Sequence, residues 1–105
     1  MTVVLTTHPS ESSARKLAEE LVQNGHAACV QVEGPLFSTY TWSGKLEKSA
    51  EWRMVLKTLP EKVEDAYRYV CQNHPFEVPQ WVVIPAQASA DYFSWLQESI
   101  PRPPH

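Results

Sequence analysis

The chain has 105 residues, 43% hydrophobic and 20% charged, which suits one globular domain that buries a core without disulfide or metal staples. Twelve acidic against nine basic side chains leave a net charge of −3, and no Lys/Arg cluster offers the phosphate neutralisation that nucleic-acid binding needs. No apolar run reaches the ~18 residues of a membrane helix, and the opening MTVVLTTHPS lacks the basic-then-apolar pattern of a secretory signal. The expectation is a cytoplasmic protein with neither a nucleic acid nor a membrane as partner.

In chain order, TVVLTT (2–7) is a β-branched run ending at His8-Pro9 and predicts a first strand. Ser10 then caps a helix whose residues Ala14, Leu17, Ala18, Leu21 and Val22 fall on one face, with Gly25 as its stop. AACVQVE (27–33) predicts a second strand, broken at Gly34-Pro35 and resumed over 36–42. Ser43-Gly44 is a turn, and EWRMVLKT (51–58) returns with Trp52, Met54 and Leu56 on one side. Because 45–50 contains no Gly or Pro, the returning arm extends to about fourteen residues, well past the usual strand length of roughly 5–6.

Pro60 suits the first turn of a second helix bearing Val63, Ala66, Tyr67, Val70 and Cys71 on one face. Pro75 forces that helix to stop near Asn73-His74. WVVIPA (81–86) predicts a last strand, placed at a sheet edge because Pro85 cannot donate to a ladder. Ser89 or Asp91 caps a short third helix carrying Tyr92, Trp95 and Leu96, and the tail from 101 to 105 frays. No repeat or domain boundary interrupts residues 1–105.

The order β-α-β-β-α-β plus a terminal helix is the ferredoxin-like pattern, an α+β fold with an antiparallel sheet. Both main helices then cover one face. The opposite face should be polar in a lone subunit, yet the first strand sets Val3 and Leu5 against Val4 and the last sets Trp81 and Val83 against Val82 and Ile84, so both sides are apolar. Self-association is the economical consequence.

Four segments, LAEELVQNGHAACVQV (17–32), YTWSGKLEKSAEWRMVLKT (40–58), HPFEVPQWVVIP (74–85) and DYFSWLQESI (91–100), together resemble the CutA family of divalent-cation tolerance proteins. The matching positions are Ala27-Ala28-Cys29, Trp42, Gly44, Lys45, Glu51, Lys57-Thr58 and His74-Pro75-Phe76-Glu77-Val78-Pro79. The resemblance implies a compact homotrimer of PII-like architecture in which long hairpins pair between subunits, and a role in tolerance of copper and other divalent cations. Two positions depart from the pattern: Phe76 replaces a tyrosine, and Gln80 stands where a glutamate is usual, keeping its size but not its charge.

Among candidate metal ligands, Cys29 offers a thiolate suited to Cu(I) or Zn(II); its plainer reading is a small buried hydrophobe. Cys71 falls at the margin of a helix face and reads as packing. With only two distant cysteines and no C-x-x-C, both are expected buried and reduced. His74 offers an imidazole on a Pro-bounded corner, or simply a ring bonded to a free carbonyl. His8 reads as turn structure, His26 and His105 as surface residues. Glu51 and Glu77 are hard ligands or partners for Lys57. Tyr40, Trp42 and Trp52 are core or interface anchors, and Gln80 borders the same pocket.

Three function classes follow. The first is a homotrimeric divalent-cation tolerance protein binding copper or another divalent ion at Cys29, His74 and Glu77, with no obligatory cofactor. The second is a PII-like signalling or scaffold trimer taking a small molecule or a partner protein at clefts between subunits. The third, an enzyme, has no phosphate loop and no nucleophile-base or metal-ligand spacing to support it.

Overall fold

A computed structural model describes residues 1–101. Its elements are β1 (Thr2–His8), α1 (Glu11–Gln23), β2 (Cys29–Trp42), β3 (Lys45–Thr58), a 3₁₀ turn (Pro60–Lys62) leading into α2 (Val63–Gln72), β4 (Val82–Pro85) and α3 (Ala90–Ser99). The strands form one sheet of order β2-β3-β1-β4, antiparallel at every pairing. This is the expected α+β, ferredoxin-like arrangement, with β4 at an edge.

Helix α1 begins where Ser10 accepts a hydrogen bond from the Ser13 backbone N–H, a cap worth about 1 kcal/mol. It ends at Asn24, and Gly25 follows with φ +75°. Ala14, Leu17, Ala18 and Leu21 face the sheet, where they meet Val4, Met54 and Leu56 from the strands and Ala66 and Val70 from α2. Each buried leucine contributes about 1.5–3 kcal/mol. Helix α3 buries Leu96 in a smaller cluster with Ala28 and Ile100, joined by Met1, Leu59 and Tyr92.

Several sequence expectations need correction. Val22 is exposed, because it lies one position beyond Leu21 at the margin of the buried stripe. Tyr67 also sits at a helix margin and reaches outward to Trp81, their ring centroids 5.2 Å apart. Both cysteines are free but only half-buried. His26 is half-buried too, stacked on Tyr69 at 5.4 Å. The third helix is capped by Ser89, which accepts from the Tyr92 N–H. Pro101 lies against Gly25; the rest of the tail, 102–105 with His105, lies outside the described residues.

The largest correction concerns β2. It starts at Cys29 rather than residue 27, and Gly34-Pro35 does not end it. Glu33 pairs with Arg53 and Leu36 with Glu51, so two residues of β2 stand opposite Trp52 alone. That is a bulge, which bends a strand without terminating its pairing. The hairpin closes through Ser43 (φ 51°) and Gly44 (φ 76°), the two positive angles of a tight turn matched to strand twist. The returning strand is 14 residues long. Because β1 ends at the His8–Trp52 pair, β3 continues over Lys45–Glu51 paired only to β2. This overhang makes an arm that stretches the subunit to 48 Å along its longest axis.

Candidate functional site

At the root of the arm, the chain must turn from α2 into β4. Pro75 forbids another helical turn, and Asn73 closes α2 by donating from its side chain to the Tyr69 carbonyl at 2.8 Å. The corner that follows is pinned to the end of β1. His74 Nε2 lies 2.7 Å from the Thr7 carbonyl, while His74 Nδ1 accepts the Phe76 N–H at 3.0 Å. Thr6 Oγ1 donates to the Gln80 carbonyl at 2.6 Å. Both ring nitrogens of His74 are thereby engaged by backbone.

His8 stands beside it, ring centroids 4.9 Å apart. Only 4% exposed, it accepts the Ser10 N–H on Nδ1 at 3.1 Å. Burial first, and then the neighbouring His74, hold its pKa below the ordinary histidine value.

Between this corner and the arm opens a cleft of about 810 Å³. One wall is Pro75 to Gln80; the other is built from β2 and β3, with Thr7 at the junction. Strand periodicity explains the second wall, since Glu47 and Glu51 are four residues apart on β3 and share a face. Glu47 pairs with Tyr40 across the ladder, and Trp42 closes the row near the tip. Glu51 is 7% exposed and accepts from Ser38 Oγ on Oε2 at 2.9 Å. Glu47, Glu51 and Glu77 all line the cleft, and among the described residues no Lys, Arg or His does. Its field therefore favours cations.

The structure brings Tyr40, Trp42, Glu51, Glu77 and Gln80 together around this space. It does not bring the others there. Trp52 packs against the core under the helices. Cys29 pairs with Lys57 on the sheet's uncovered face, and Lys57 Nζ lies 5.7 Å from the Tyr92 ring centroid. Six residues of β3 separate Lys57 from Glu51, about 20 Å of strand, so neither Glu51 nor any other carboxylate forms an ion pair with Lys57 among the described residues. His74 stands behind the corner with both ring nitrogens engaged by backbone. Among the described residues no three His, Cys, Asp or Glu side chains are grouped to hold a metal. The set Cys29, His74 and Glu77 does not fit a resident ion within one chain.

Sequence reasoning passed over Glu47, Ser38 and Thr7 as site residues. For Glu47 a signal was available: its two-residue periodicity with Glu51 on an arm already expected to be long. For Thr7 none was, because only the folded corner carries residues 75–80 back to it.

The family model described as CutA1 divalent ion tolerance protein matches residues 2–99. A divalent-cation tolerance protein CutA of Yersinia pestis (strain Pestoides F) is 36% identical over 99 residues, covering 93% of this chain and 83% of that relative. The solved structure of the divalent cation tolerance protein Cut A1 from Thermus thermophilus matches with a TM-score of 0.91 at 36% identity, covering 96% of this chain and 100% of that one. CutA1 from Pyrococcus horikoshii matches with a TM-score of 0.90 at 30% identity, covering 97% and 100%.

Proposed function

The chain belongs to the CutA1 divalent ion tolerance family, and from that premise we propose that it serves divalent-cation tolerance as a non-catalytic homotrimer, handling copper or another divalent ion without an obligatory cofactor. The observation that carries the reading is the unfinished sheet. Val82 and Ile84 are exposed on the face opposite α1 and α2, beside half-buried Val3 and Leu5. On the arm Phe37 is 85% exposed. A lone subunit gains nothing from leaving such a surface in water, whereas copies closing on it would bury it.

The candidate donors Cys29, His74 and Glu77 are apart in one chain, so this reading puts the ion where subunits meet. Two free cysteines fit the reducing cytoplasm as its compartment, which cell fractionation checks. Light scattering on the purified protein should give about three times the 12.0 kDa chain mass. Calorimetric titration of that species with Cu²⁺ and Zn²⁺ should then show a saturable site weakened by Cys29→Ala or His74→Ala. A stable single-chain species, or no saturable metal site, defeats the reading.

One observation favours a second reading, a PII-like signalling or scaffold trimer that takes a small molecule or protein partner. The cleft is far larger than a bare ion requires, and part of its wall is aromatic. Its carboxylates turn away nucleotides and small anions, so a thermal-shift screen separates the readings when cationic organic molecules stabilise the protein and metals do not.

A further inference from the structure

We draw no further inference here: the strongest candidate, the pair of rings of His8 and His74 where the end of β1 meets the corner leading into β4, 4.9 Å apart between centroids, belongs to the site already described, since His74 is one of its candidate metal donors.

Discussion

Gly34 lies flat against the indole of Trp52: a Cβ built on Gly34 would stand 2.7 Å from Trp52 Cδ1 and 3.0 Å from the Glu51 carbonyl oxygen. The bulge of β2 therefore depends on a missing side chain, because the Trp52 ring and the Glu51 carbonyl occupy the place a methyl would take.

Gly34→Ala should cost about 1–3 kcal/mol through overpacking, lowering the melting temperature by roughly 4–8 °C per kcal/mol for a domain of this size. Circular dichroism melts check it. Because the tightest contact is with the Trp52 ring, the double variant with Trp52→Leu should recover part of the loss, a coupling expected only of touching residues.

Stability should fall on the acid side of neutrality. The folded chain holds His8 below the ordinary value of 6.5, mainly by burial and then by the neighbouring His74. The unfolded chain thus takes up its proton first. The His8 contribution is complete above about pH 6.5, declines as pH drops from there, and is gone once the folded-state pKa is passed. Urea midpoints at pH 7.5, 6.0 and 5.0 should show this decline, and His8→Asn should flatten it. Equal slopes in the two proteins would remove His8 as the cause.

On the homotrimer reading, Ile84→Lys should give smaller species than the parent protein. Ile84 pairs with Val3 on the face away from α1 and α2, and placing an isoleucine in an interface is worth about 1.5–3 kcal/mol. Sedimentation at micromolar concentration reads the mass directly. An unchanged mass would mean that this face is not the contact.

Ser43→Asn should stabilise the hairpin. Ser43 holds φ 51°, a left-handed conformation that costs ordinary residues about 1–2 kcal/mol and that asparagine tolerates better. The expected gain, on the order of 0.5 kcal/mol, should appear as a small rise in the melting temperature with no change in mass.

The sequence made the element order, the Ser10 cap, the edge position of β4 and the overlong arm legible, because each rests on local periodicity or on one residue's backbone chemistry. It located the interruption at Gly34-Pro35 and the resumption beyond it, but not that the pairing runs past it as a bulge in one strand. Whether such a pair ends a strand or bulges it depends on the partner strand, here on Trp52. The site was half legible. Tyr40, Trp42, Glu51, Glu77 and Gln80 do gather in one cleft, but the length of β3 carries Cys29 and Lys57 to the other end of the sheet. Strand spacing, which is local, shows that two residues share a face; it says nothing of which distant loop lies across from them.

The overhang from Lys45 to Glu51 leaves β3 with a bare row of backbone donors and acceptors on the side β1 never reaches. A newly made chain carries that row as an open template for any passing strand, which makes it the chain's most exposed aggregation hazard. Lys45, Glu47 and Lys48 stand along it as gatekeepers: charges that a correctly matched neighbour accommodates and that a foreign strand, stacked in arbitrary register, is left to desolvate.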